Sequence, residues 1–176
     1  MFEFLWGKKK HEEHHETAHT EEVAPGSQLH YDPTLVPGLI DDHHALLGIF
    51  GRVVLAMQEK NMGQVQAVLH EFGDALRGHL LKENIRFYVY LQHSLEQDAE
   101  NAAIMHEFRS EMQHIGKAVA DFLHKYTLEK EGFVWDDKMW HTFQEEVGGI
   151  GAVLTKRIQT EEKILYPLYL PPSEYN

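Results

Sequence analysis

The chain has no cysteine among its 176 residues. That rules out a disulfide framework, an iron–sulfur cluster and any thiol chemistry, and makes a reducing compartment the default expectation. Basic residues are scarce: 16 Lys and Arg stand against 28 Asp and Glu, for a formal net charge of -12. Phosphate backbones need clustered Lys and Arg, so this balance argues against DNA or RNA as partner. It favours a basic protein surface or a small ligand. No apolar run approaches the length of a membrane-spanning helix. The opening MFEFLWGKKK puts its basic residues after its apolar ones, the reverse of a secretory signal, so a cytoplasmic location is expected. There is no Ser–His–Asp set, phosphate loop or nucleotide motif, and the chain is not expected to be an enzyme.

What the chain does have is divided unevenly. Its length suits one domain with a tail. Residues 1–30 are charged and rich in His, with no apolar periodicity, and read as a flexible tail too polar to offset its ordering entropy. His11, His14, His15 and His19 in that tail offer at most loose metal binding. Phe2, Phe4, Leu5 and Trp6 beside a triple lysine form a weak candidate for membrane contact or for docking on a partner. Residues 31–176 form the folded domain.

From Pro37 onward the apolar positions recur at helical spacing. On a wheel of about 100° per residue, Leu39, Ile40, Leu46, Leu47, Phe50 and Val54 gather around His43. This first stripe spans about 38–60, and Asn61-Met62-Gly63 ends it. A second, about 64–95, carries Val65, Val68, Phe72, Leu76 and Tyr90 around His79 and Glu83. A third, about 101–127, centres on Met112, with His106 and His114 off the stripe. Asp136 is a suitable N-cap for a fourth, about 137–168, which holds Phe143, Ile150, Val153, Leu154, Ile164 and Leu168 around Arg157. Gly148, Gly149 and Gly151 in its interior suggest close approach of a neighbour. Four amphipathic helices with short connections predict an all-α, antiparallel four-helix bundle.

The two halves echo one another. An offset of 78 lays Val65–Tyr88 on Phe143–Tyr166, matching Gly73 with Gly151, Glu83 with Glu161 and Tyr88 with Tyr166. An offset of 69 lays Leu39–Met57 on Phe108–Tyr126. The echo fails at two positions: Arg157 stands where His79 should recur, and Met112 where His43 should. In His79-x-x-x-Glu83 the two side chains lie one turn apart on one face, as a helix offers a nitrogen and an oxygen to one ion. Buried Glu and Arg must pair with a metal or with each other.

These motifs resemble the hemerythrin-like (HHE cation-binding) family over about residues 35–170. In that family the first helix gives one His, matched by His43 in DDHHALLGIF. The second gives His-x-x-x-Glu, matched by His79 and Glu83. The third gives a His, where Glu111-Met112 is the local match. The fourth gives His-x-x-x-Glu before Leu-Tyr-Pro, and RIQTEEKILYP matches it at Glu161, Leu165, Tyr166 and Pro167, with Arg157 for the His. The resemblance implies a hemerythrin-like fold and a non-haem two-iron site that binds or senses oxygen or nitric oxide, or handles iron. The segment KRIQTEEKIL is also similar to the regulator of sigma D family, metal-free bundles that bind a sigma factor.

Three states of the core stay open at this level. A conventional two-iron site would set two cations beside Arg157, each repelled by about 4 kcal/mol at an effective dielectric near 20. A one-metal site would use His43, His79, Glu83 and Glu161, a donor set suited to Fe(II) or Zn(II). In a metal-free core Arg157 would itself replace the cation and bridge Glu83 and Glu161. The overall reading is a small binding or regulatory protein with a degenerate metal site, holding at most one metal.

Overall fold

The computed structural model describes residues 23–127 and 135–175, except Pro25. Its helices are α1 (Leu35–Gln58), α2 (Met62–Lys82), α3 (Tyr88–Ser94), α4 (Ala99–Thr127) and α5 (Asp137–Thr160). A π turn, Glu83–Phe87, joins α2 to α3 without a break, so the two form one rod. A second π turn, Glu161–Leu165, and a 3₁₀ turn, Tyr166–Leu168, prolong α5 in the same way. The result is the expected all-α bundle of four rods. No helix among the described residues is long and apolar enough to cross a membrane.

Local chemistry sets the helix starts. Asn61 caps α2 by accepting from the Gln64 N–H at 3.0 Å, and Asp136 caps α5 by accepting from the Met139 N–H at 2.8 Å. Lys60 takes a left-handed φ of 51° in the tight α1–α2 turn. Neighbouring rods run antiparallel. Lys82 at the end of α2 binds Asp42 near the start of α1 at 2.7 Å, and Lys60 after α1 meets Asp137 at the start of α5 at 3.3 Å.

Inside, a polar layer lies between apolar ones. Leu39, Phe87, Leu91, Met105, Leu165 and Tyr169 fill one end, and Leu46, Phe72, Leu76, Val119 and Leu154 fill the middle. His43, His79, Glu83, Arg157 and Glu161 are buried between them. The far end holds Val65, Phe122, Tyr126 and Phe143. The repeat positions Gly73 and Gly151 both admit a side chain from another helix: an added Cβ would lie 3.1 Å from Leu123 Cδ1 and 2.8 Å from Phe50 Cε1. Gly148 and Gly149 border open space, against the expectation of close approach there.

The π turns correct the fourth stripe. Each takes one extra residue, which turns the following side chains about one position around the axis. Ile164, expected in the core, is 45% exposed, while Leu165, Tyr166 and Tyr169 are buried. Val153, before the turn and also expected inside, is 44% exposed. Residues 1–22, with most of the expected tail, lie outside the described residues. Of its described residues, Val23 bridges His30, Ala24 is buried and Leu29 packs on the aromatic end.

Candidate metal centre

Four rods each bring one level of side chains into the polar layer. From α1 comes His43, from α2 His79, and from the first π turn Glu83. Arg157 lies in the last turn of α5 and Glu161 opens the second π turn. All five are buried. Met112 on α4 is half-buried and lines the same cavity. His44, His106 and His114 are exposed, as the wheel requires.

Both imidazoles turn Nε2 inward and Nδ1 outward. His43 Nε2 lies 3.3 Å from Glu161 Oε2, and its Nδ1–H donates to Glu162 Oε1 at 2.9 Å. His79 Nε2 lies 3.8 Å from Glu83 Oε2, and its Nδ1 faces Asp42 Oδ2 at 3.6 Å. The Glu162 carboxylate orients the His43 ring from behind, the usual support of a metal-bound histidine, whereas Asp42 stands beyond hydrogen-bond reach of His79 Nδ1. The two rings stand 4.7 Å apart between centroids. The Tyr166 hydroxyl donates to Glu83 Oε1 at 3.0 Å and sits 3.2 Å from His43 Nε2.

On the other side of Glu161 lies Arg157. Its Nε donates to Glu161 Oε1 at 2.6 Å, one Nη to Glu111 Oε2 at 3.0 Å and the other to the Tyr88 hydroxyl at 3.3 Å. The guanidinium also lies over the Phe108 ring, 4.6 Å from its centroid. This corrects one expectation. The second carboxylate bound by Arg157 is Glu111, not Glu83, whose near oxygen already accepts from Tyr166.

The electrostatics follow the packing. Burial, then the Glu161 carboxylate, pushes Glu83 up to about 8. Burial, then the His43 charge, pushes His79 down to about 4. Burial also opposes charge on Glu161 and on His43. Their mutual hydrogen bond, with the Arg157 charge on Glu161 and Glu162 on His43, outweighs it, so Glu161 falls below and His43 rises above its ordinary value. The layer therefore contains one carboxylate held ionised and one that lacks a cation.

A single ion fits these residues. The ligand atoms of His43, His79 and Glu161 all lie within 4.8 Å of one another. Donors facing across an ion with bonds of about 2.2 Å stand about 4.4 Å apart, so only small inward movements are needed. Glu83 Oε2 and His79 Nδ1 are buried without a hydrogen-bond partner. A guanidinium holds Glu161 Oε1, and the Met112 thioether is a poor ligand for hard or borderline cations.

Asp42, Glu111, Glu162 and Tyr166 surround the site, and helical spacing alone does not mark them. Asp42 and Glu162 each adjoin a ligand candidate in sequence, and Tyr166 pairs with Tyr88 in the repeat.

No curated protein and no solved structure matches the chain. A family model, the hemerythrin HHE cation binding domain, matches residues 34–169, which takes in every buried residue of the polar layer. The chain belongs to the hemerythrin HHE cation-binding family.

Proposed function

We propose that this protein is a hemerythrin-like cation-binding protein whose core holds one divalent ion, Fe(II) or Zn(II), with Arg157 in the place of a second. His43, His79 and Glu161 would hold the ion, and Glu83 stands within reach of the same place. The observation that carries this reading is the pair of Nε2 atoms facing Glu161 and Glu83, with Glu162 hydrogen-bonded behind His43. Glu161 then has two separate roles: Oε2 serves the ion and Oε1 serves Arg157. Bound Fe(II) would supply a redox-active centre able to take a small ligand, and bound Zn(II) a structural one. The reading is that of a binding or sensing protein rather than an enzyme.

A metal-free core is the competing reading, and the guanidinium at Glu161 favours it. The unpartnered oxygen of Glu83 weighs against it, because a buried acceptor without a donor costs about 1–3 kcal/mol. A basic protein surface remains the partner class favoured by a net charge of -12.

Titration with Co(II), followed by visible absorption, tests the reading. The bands should saturate at one equivalent and vanish in His43→Ala. Two equivalents, or bands unchanged in that variant, would refute it.

A further inference from the structure

Each half of the bundle delivers one tyrosine to the polar layer. In a regular helix, five residues turn a side chain about 140° away from where the first one points. The π turns Glu83–Phe87 and Glu161–Leu165 undo that rotation. In each, the N–H of the next residue, Tyr88 or Tyr166, bonds back to the carbonyl of Glu83 or Glu161. The tyrosine therefore returns toward the face that carries the glutamate. Tyr88 accepts from Arg157 Nη2 at 3.3 Å, so its oxygen faces the guanidinium. Tyr166 sets its own oxygen 3.2 Å from His43 Nε2. One tyrosine oxygen meets the fixed cation of the layer, and its repeat equivalent meets the ligand atoms.

Lone pairs gather at Tyr166. Its proton goes to Glu83 Oε1 at 3.0 Å, and the Nδ1–H of His43 goes to Glu162 at 2.9 Å. That leaves His43 Nε2 facing Glu161 Oε2 at 3.3 Å and the Tyr166 oxygen at 3.2 Å. Three acceptors so close are held together by a proton on Nε2 or by a metal ion. Donors set tetrahedrally at bonds of about 2.1 Å stand about 3.4 Å apart, so the spacing suits an ion. We propose that Tyr166 is a ligand of the core ion, a fourth donor beside His43, His79 and Glu161, and that it binds Fe(III) as phenolate. The proposal rests on the one-ion reading and adds a ligand and the ferric state to it. Ligation displaces the phenol proton to Glu83, which already accepts that hydrogen bond. The phenolate and the Glu161 carboxylate are both hard, anionic oxygen donors, a pair that suits Fe(III) better than Fe(II) or Zn(II).

Fe(III), supplied as its nitrilotriacetate complex to the full chain, is the probe, and bound iron and visible absorption are read together. Phenolate on Fe(III) gives an intense visible charge-transfer band, which imidazole and carboxylate ligands alone do not. The parent should bind iron and show the band, with tyrosine ring modes enhanced in its resonance Raman spectrum. Tyr166→Phe should lose the band. Tyr88→Phe changes the other tyrosine of the layer, the one on Arg157, and should keep it. This second variant decides between the two tyrosines even if Tyr166→Phe folds poorly. Bound iron without the band, a band that survives Tyr166→Phe, or a band lost in Tyr88→Phe would overturn the proposal and leave the one-ion reading standing. Failure of the parent to bind iron at all would overturn both.

Discussion

Replacing Arg157 is the perturbation whose size the structure predicts best. The side chain is 4% exposed, and its three contacts differ in worth. The bond to Glu161 at 2.6 Å is buried at both ends. The bond to Glu111 at 3.0 Å reaches a carboxylate that is 58% exposed, so solvent screening leaves it little weight. The bond to the Tyr88 hydroxyl at 3.3 Å is long. Removing the guanidinium thus acts chiefly by leaving Glu161 ionised and short of a partner, close to Glu83. Breaking a buried pair from one side costs about 3–5 kcal/mol. For a domain of this size that is a fall of roughly 6–20 °C in melting temperature. The assay is thermal and denaturant unfolding of Arg157→Ala in chelator. Saturating Zn(II) should restore part of the loss, since the ion then neutralises Glu161. Arg157→His, which restores His-x-x-x-Glu at 157–161, should cost less than Arg157→Ala once metal is present. A variant Arg157→Ala that unfolds within about 1 kcal/mol of the parent would refute the reasoning, because the buried pair would then carry none of the assigned stability.

Stability of the metal-free protein should peak at mildly acid pH. Glu83, raised to about 8, takes up a proton on folding, so its contribution is complete below 4.5 and is lost as pH rises toward 8. His79, lowered to about 4, stays neutral in the fold, so its contribution is complete above 6.5 and is lost as pH falls toward 4. Melting in chelator should therefore be highest at about pH 5–6.5, and stability that climbs steadily from pH 6 to 8 would contradict this. Tyr166→Phe removes the donor to Glu83 Oε1 and should cost about 1–3 kcal/mol by urea unfolding, whereas an unchanged midpoint would show that the bond carries no weight. Gly151→Ala would drive a methyl into Phe50 and should destabilise by about 1–3 kcal/mol in the same assay. Gly149→Ala meets nothing and should stabilise by up to about 1 kcal/mol, and the opposite order would contradict the packing described.

The wheel carried the sequence as far as a regular helix holds. The four helices, the inward faces of His43, His79, Glu83 and Arg157, and the cap at Asp136 follow from spacing and residue type. One failure has a structural cause. A wheel of fixed pitch cannot register a π turn, so Ile164 was placed inside where Leu165 and Tyr166 are. The 78-residue echo did contain the clue, because both π turns begin at the matched residues Glu83 and Glu161. Contacts between rods were less legible. Nothing in the stripe pattern ranks Glu111, placed one residue off the α4 stripe, above Glu83 as a partner of Arg157. Which acceptor a long guanidinium reaches depends on the rotation of a neighbouring helix and on the prior claim of Tyr166 on Glu83. Asp42 and Glu162 were hidden for the same reason, since they stand behind the imidazoles that the stripe places at the centre.

One ion beside one guanidinium implies a fixed metal content. Elemental analysis tests it most directly, applied to the full chain purified without chelator and with His11, His14, His15 and His19 replaced by alanine to remove loose binding. One equivalent of iron or zinc per chain is expected, reduced to a trace in His79→Ala and raised toward two in Arg157→His combined with Met112→His. Two equivalents in the parent, or one equivalent that survives His79→Ala, would contradict it.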